Sequence, residues 1–266
     1  FGAAAGELVV EAFGAFDGER ALGLSAVSGH WLRLLAVDPA ARGRGVGTSL
    51  LALAEVAAGA VELRTLAQPG NYLSPGIAEE DTETVAWMER RGYRRVGRNT
   101  NLEIELVHNP RVTDTRAREL AARAEAAGYR IERASADDAA ALAAAIGEAF
   151  STGWAFEVER ALAGEPPGVH VAYHRETGAL AAFAAHDGNN RGLGWFGPAG
   201  TFEAHRRRGL GELLLVHCLL DVAEAGHRRG VIAWIGPREF YQRSVGVAGE
   251  RHYVVLAKNL AGEEDE

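Results

Sequence analysis

A chain of 266 residues is long enough for two ordinary domains or one large one, and 47% hydrophobic with 24% charged residues lies in the globular range, which excludes a disordered or fibrous chain. A net charge of −8 and a pI near 5.7 argue against unspecific nucleic-acid binding and favour a cationic partner. Cys218 is the single cysteine, so an intrachain disulfide and a four-cysteine zinc site are excluded, and a reducing, cytoplasmic compartment is expected. No stretch approaches the ~18 apolar residues of a membrane span, so no membrane partner is expected. Lys258 is the only lysine among 28 basic residues, which removes any Gly-Lys-Ser/Thr phosphate loop. The 33 glycines follow no three-residue period and imply glycine-dependent turns or close backbone approaches.

In chain order, residues 8–13, 21–27 and 31–37 are short apolar runs joined by Phe-Asp-Gly-Glu and Ser-Gly-His turns, the pattern of an antiparallel meander. After Asp38-Pro39 and a glycine-rich turn, Leu50, Leu51, Leu53, Ala54 and Ala57 recur at helical spacing over 48–58, and a strand follows at 61–66. A Pro/Gly-marked loop over 68–76 leads to a helix near 82–91 and two strands near 93–96 and 102–107. Residues 113–127 carry strong helix formers ending at Gly128, predicting a helix that links two halves. Beyond it come a strand at 129–133, a helix opened by Ser135 with Asp138 three residues on, and a second helix near 155–162. The meander then returns with strands at 169–173, 179–185 and 193–201, a helix at 210–225 and a strand at 231–235. The acidic 262–266 tail is expected to be disordered.

The same loop stands between strand and helix in both halves: Val37-Asp-Pro-Ala-Ala-Arg42-Gly43-Arg44-Gly45-Val46-Gly47 and Thr201-Phe-Glu-Ala-His-Arg206-Arg207-Arg208-Gly209-Leu210-Gly211. Glycines there let backbone approach a ligand, successive N–H groups form an anion cradle, and the helix N-terminus adds its dipole. A phosphate or pyrophosphate is the natural guest. A Rossmann fingerprint fits poorly, since Thr48 stands where its third Gly belongs and Arg207 replaces the first Gly in the second loop.

This unit of strand, Arg-x-x-Gly-x-Gly loop and helix resembles the acyl-CoA signature of the GNAT superfamily of N-acyltransferases, and the likeness covers nearly the whole chain as two tandem domains. The resemblance implies an α/β fold with mixed sheets whose fourth and fifth strands splay apart, acetyl-CoA as cosubstrate, and its pantetheine arm in the gap. By position it implies pantetheine on the backbone of Leu35, Ala36 and Val37, with Arg42, Gly43, Arg44, Gly45, Val46, Gly47 and Thr48 at the pyrophosphate. In the second half the matching positions are Ala199, Gly200 and Thr201, then Arg206, Arg207, Arg208, Gly209, Leu210, Gly211 and Glu212. Glu203 replaces the first loop's proline there, which leaves that turn's shape open.

In similar enzymes a Tyr in the helix after the fifth strand protonates the leaving thiolate. Phe240-Tyr241-Gln-Arg-Ser-Val-Gly246 offers Tyr241, with one residue more before the glycine than the family's Phe-Tyr-x-x-x-Gly; packing of the ring in the core is the competing reading. The first half has Trp87 and Met88 at that place, neither a proton donor to a thiolate. The resemblance therefore implies an N-terminal GNAT-like domain over 1–107, incomplete and degenerate, a helical linker over 108–127, and a complete C-terminal domain over 128–266. The first domain enters at its meander without an opening strand and helices, and a chain starting at Phe1 reads as trimmed or processed. The expected reaction is acetyl transfer from acetyl-CoA to a primary amine, of a small molecule or peptide, by direct attack in the C-terminal domain. The competing class is a non-catalytic CoA-binding sensor or scaffold. Glu239, Glu203, His186 and Asp187 are weak candidates for a base, each better read as a solvated group. His170 and His174 stand ~13 Å apart along a strand, too far for one metal, and are read as surface residues. No metal is expected; Cys218, in an apolar helix, is read as a buried inert thiol. Trp154 and Phe156 fit either a pocket wall or the core.

Overall fold

A computed structural model describes residues 9–59 and 61–261. Leu8, where the first predicted strand opens, and the 262–266 tail lie outside the described residues. The chain forms two compact units. The first takes the described residues up to Gln68, then Tyr72–Asn99 and the chain from His252 onward; the second takes Pro69–Asn71 and Thr100–Arg251.

In the first unit, β1 (Glu11–Asp17), β2 (Arg20–Ser28) and β3 (Trp31–Val37) make the antiparallel meander. Next come α1 (Val46–Ala58), β4 (Glu62–Thr65) parallel to β3, the two-residue β5 (Ile77–Ala78) and α2 (Thr82–Glu89), capped by the Asp81 carboxylate on the Thr84 N–H. Leu50, Leu51, Ala54 and Ala58 of α1 are buried, the stripe that the helical spacing marks. β6 (Arg94–Glu105) starts here and ends in the second unit. It is one strand where the sequence predicts two. The polar stretch that resembles a turn is held extended: Asn99 Nδ2 donates to the Pro75 carbonyl, and Asn101, 1% exposed, accepts from the Trp234 N–H at 2.8 Å.

The second unit pairs the end of β6 with β11 (Arg229–Ile232), Leu102 opposite Ile232 and Glu105 opposite Arg229. Its helix α3 (Asp114–Ala126), read from sequence as a linker, lies within this unit: Ala117, Leu120 and Ala124 recur every three or four residues and are buried in its core. Burying Leu120 alone contributes ~1.5–3 kcal/mol, which an exposed linker would forgo. Then follow β7 (Tyr129–Arg133), α4 (Ala139–Ala149), α5 (Thr152–Leu162), β8 (Val169–His174), β9 (Leu180–His186), β10 (Trp195–Thr201), α6 (Leu210–Glu224), β11 (Arg229–Ile232) and α7 (Arg238–Ser244). The order across the sheet is β6-β11-β10-β9-β8-β7. Alternate residues of β9 face opposite layers, as strand periodicity requires: Ala182 and Ala184 join the α3/α6 core, Phe183 and Ala185 the α4/α5 core. Trp154 packs against the latter, partly buried and stacked on Phe150.

A last strand, β12 (Gly249–Asn259), has no counterpart among the predicted elements. From His252 on it belongs to the first unit, antiparallel to β4 with Ala257 opposite Arg64. Lys258 joins Glu55 of α1 at 2.9 Å, and Glu55 also accepts from the Tyr93 hydroxyl, so the sole lysine ties this strand to the first unit's core. The strand register makes Leu24 the counterpart of Phe183, since Ala36 faces Leu24 and Gly200 faces Phe183. Phe183 is 1% exposed under α4 and α5; Leu24 is 41% exposed, and among the described residues no helix covers its face.

Within α5, Glu157 is 5% exposed and accepts a hydrogen bond from Asn189 Nδ2. Burial, offset only in part by that bond, pushes its carboxyl up to about 7. A carboxyl pKa raised from 4.5 to about 7 takes stability away as pH rises between those values, so Glu157→Gln, which keeps the acceptor oxygen, is expected to leave stability unchanged at pH 3.5 and raise it by ~1–3 kcal/mol at pH 8.5 in urea unfolding. Equal stability of the two proteins at both pH values would count against an uncompensated buried charge.

Candidate functional site

The two glycine loops have one backbone conformation. Pro39–Ala41 and Glu203–His205 each form a single 3-10 turn, closed by Ala41 N–H to Asp38 O at 2.8 Å and by His205 N–H to Phe202 O at 2.9 Å. Glu203 therefore preserves the turn that Pro39 makes. Arg42 and Arg206 are extended (φ −64° and −63°), and Gly45 and Gly209 cap α1 and α6 in the left-handed region (φ 85° and 78°). Gly43 at φ 74° is matched by Arg207 at φ 60°, a conformation seldom adopted outside glycine and asparagine. A Cβ added at Gly43, Gly45 or Gly209 would meet nothing within 4 Å, so these positions border open space. Alternating extended and left-handed residues before a helix turn successive N–H groups toward one point, an anion nest reinforced by the helix dipole. Arg42, Arg44, Arg206, Arg207 and Arg208 are exposed around the two nests. The Thr48 and Glu212 side chains are committed elsewhere, Thr48 accepting from Arg91 at 2.8 Å and Glu212 from Arg116 at 2.7 Å.

Each loop follows a strand that parts from its parallel neighbour. β10 pairs with β11 only at Trp195–Val231 and Phe196–Ile232, and β3 with β4 only at Trp31–Arg64 and Leu32–Thr65. Beyond those pairs lie Ala199, Gly200 and Thr201 in one unit and Leu35, Ala36 and Val37 in the other. Both strands bulge where the gap opens, between Phe196 and Ala199 against β9, and opposite Ala26/Val27 against β2. The departing chains each turn through left-handed residues, Trp234 at φ 45° in the second unit and both Leu66 and Ala67 at φ 52° and 51° in the first. The Trp234 and Ala67 N–H groups are satisfied locally, by Asn101 Oδ1 at 2.8 Å and by the Ser74 carbonyl at 3.0 Å. Sequence reasoning missed these turns, because Trp, Leu and Ala do not signal a left-handed residue.

Tyr241 lies on α7, packed against the α3/α6 core beside Phe240, whose ring would touch a Cβ at Gly211. Burial raises the phenol, and among the described residues its hydroxyl makes no hydrogen bond. In the first unit the ring of Trp87 takes the place against Gly47, with the Arg91 guanidinium 3.7 Å from its centroid, and Met88 is 2% exposed in the core.

Of the weak base candidates, Glu203 and Glu239 are exposed. His186 is buried rather than solvated, Asp187 is half-buried beside it, and His170 is not a surface residue. His170 and His186, each 6% exposed, share Asp221 of α6 at 2.7 and 3.2 Å, and Arg133 reaches its other oxygen at 2.6 Å. Both histidines lie on the α6 face of the sheet, where one carboxylate serves them; that pairing spans 51 and 35 residues and has no local signature. Burial alone would lower His186, but its bonds to Asp187 and Asp221 outweigh that and carry it up to about 9. Burial alone would raise Asp221, but the bonds from His170, His186 and Arg133 hold it well below the usual carboxylate range. Cys218 is fully buried and its thiol is pushed up by desolvation, as an inert core residue should be.

No protein-family model and no curated protein matches the chain. Solved structures do. A GCN5-related glucosamine N-acetyltransferase region of a fungal multi-domain GH3 β-N-acetylglucosaminidase matches with TM-score 0.72 and 21% identity over 90% of this chain, which spans only 32% of that one. A GCN5-related N-acetyltransferase from Sphaerobacter thermophilus matches at TM-score 0.65 and 20% identity over 94% of this chain and 80% of the other. A tandem GNAT protein from the clavulanic acid biosynthesis pathway, solved without AcCoA, matches at 0.66 and 18% over 96% and 84%. The fold is that of the GCN5-related N-acetyltransferases, in tandem. Among the described residues, no helix is long and apolar enough to cross a membrane.

Proposed function

We propose that the chain is an acyl-CoA-dependent N-acetyltransferase whose chemistry runs in the second unit. The observation that supports this best is that an anion nest opens a helix directly after a strand that parts from its parallel neighbour, with a phenol on the next helix. Acetyl-CoA is the substrate that fits: a pyrophosphate for the N–H groups of residues 207–212 and for Arg206–Arg208, and an extended arm for the backbone of Ala199, Gly200 and Thr201. The bordering space at Gly209 and the exposed arginines suit that guest.

In the reaction, a neutral primary amine attacks the thioester carbonyl; a C–N bond forms, the C–S bond breaks, and the amide product leaves with free CoA. Backbone N–H groups of β10 beyond Pro198, which has none, stabilise the oxyanion. Tyr241 gives its proton to the departing thiolate, a role suited to an O–H that no other described residue holds. The amine's proton leaves through water, since His186 is tied to both Asp221 and Asp187. The first unit has no phenol at the matching place and serves as a non-catalytic partner domain.

Thiol release from acetyl-CoA, followed with a panel of primary amines from aminoglycosides to N-terminal peptides, tests the reading. Release with at least one amine, dependent on both substrates, is expected. Tight CoA binding with no release for any amine would instead favour the sensor or scaffold reading.

A further inference from the structure

The two strand gaps differ at their mouths. In the second unit, the bulged residues beyond the last parallel pair are Gly197 and Pro198, and the chain leaving β11 continues as Trp234 and Ile235. In the first unit, Arg33 is the bulged residue immediately after Leu32, and the chain leaving β4 continues as Ala67 and Gln68. The Arg33 guanidinium donates to Gln68 Oε1, so a side-chain hydrogen bond runs from β3 to the departing β4 chain just past the point where the ladder ends. Both residues are partly buried, and Arg33 is desolvated enough to lower its pKa. The matching pair in the second unit, a glycine and an isoleucine, can form no such link.

We propose that Arg33 and Gln68 form a bridge that closes the first unit's strand gap to a pantetheine arm, and so confine thioester binding to the second unit. The inference rests on the reading of the two gaps as acyl-CoA channels, and it gives a specific reason for the division of labour. An extended arm lying between the strands would have to break a hydrogen bond of a partly buried charged group, which costs more than breaking a neutral one. The first unit's loop has the nest geometry of the second, so the bridge, rather than the phosphate end, is what separates the two.

The test uses the full chain with Gly209→Val, which disables the second nest, and two probes: CoA and adenosine 3′-phosphate 5′-diphosphate, which keeps the pyrophosphate and lacks only pantetheine. With the bridge intact, calorimetry is expected to give CoA no more than about a twofold advantage over the truncated probe. Adding Arg33→Gly and Gln68→Ala is expected to give CoA an advantage of about tenfold or more. Gln68→Glu, which keeps an acceptor for Arg33, is expected to retain the closed behaviour and serves as the control for folding. A tenfold preference for CoA with the bridge in place would overturn the proposal. So would the absence of any gain in the folded double variant. Turnover by the wild-type chain tests the acetyltransferase reading separately, because neither result here depends on it.

Discussion

A Tyr241→Phe chain is expected to keep its fold and its affinity for acetyl-CoA while kcat falls about 10²–10⁴-fold, the range for loss of a positioned general acid. The separation is unusually clean because the Tyr241 hydroxyl makes no hydrogen bond among the described residues, so its removal leaves no orphaned partner, and the ring keeps its place beside Phe240. Burial raises the phenol above its ordinary value, so the wild-type rate should show no loss from its ionisation below about pH 10. Steady-state kinetics across pH 6–10, with melting temperature as a control, decide the matter. Unchanged kcat in the Phe variant would remove Tyr241 from the mechanism and leave the fold assignment intact.

The second large effect concerns stability. Asp221→Asn is expected to cost ~3–5 kcal/mol at pH 6, because it leaves His170, His186 and Arg133 facing a neutral amide in a mostly buried site. His217 stacks on His170 at 5.1 Å, and its pKa is lowered chiefly by burial. The pH dependence has a definite sign. His186 is raised from 6.5 to about 9, so its contribution is complete below pH 6.5 and is lost as pH rises through 9. Asp221 is lowered from 3.8, so its contribution is complete above that pH and fades as pH falls through the depressed value. The wild-type advantage should therefore be greatest between about pH 4 and 6.5 and shrink toward pH 10. Urea unfolding of both proteins at pH 6 and pH 10 measures it, and a difference independent of pH would contradict the charge pairing.

Much of the second unit was legible because its signals are local. The loop repeat, the Ser135–Asp138 capping box and the start of α6 at Leu210 are written within a few residues and occur as expected, while α1 begins at Val46, two residues before the predicted start. What escaped notice is nonlocal. Leu102–Glu105 and Gly249–Asn259 are strands whose partners lie far along the chain, so neither the continuity of β6 nor the existence of β12 could be read from local periodicity, though Tyr-Val-Val-Leu in β12 carried a β-branched hint. The linker assignment of α3 failed for a similar reason: mixed charge conceals an apolar face of Ala117, Leu120 and Ala124 that has meaning only against α6. His170 and His186 looked like surface groups until Asp221 came to lie beside them. The Arg33–Gln68 bridge, 35 residues apart, likewise has no sequence signature.

In the proposed division of labour the second unit carries the reaction and the first does not. Matched substitutions at the two helix caps test it most directly. Gly209→Val and Gly45→Val impose the same strain on the same left-handed position, ~1–2 kcal/mol, in space that is otherwise open. With any amine that wild type acetylates, Gly209→Val is expected to raise the KM for acetyl-CoA at least tenfold, and Gly45→Val to leave kcat and KM within about twofold. The opposite pattern, activity lost with Gly45→Val and kept with Gly209→Val, would contradict the account.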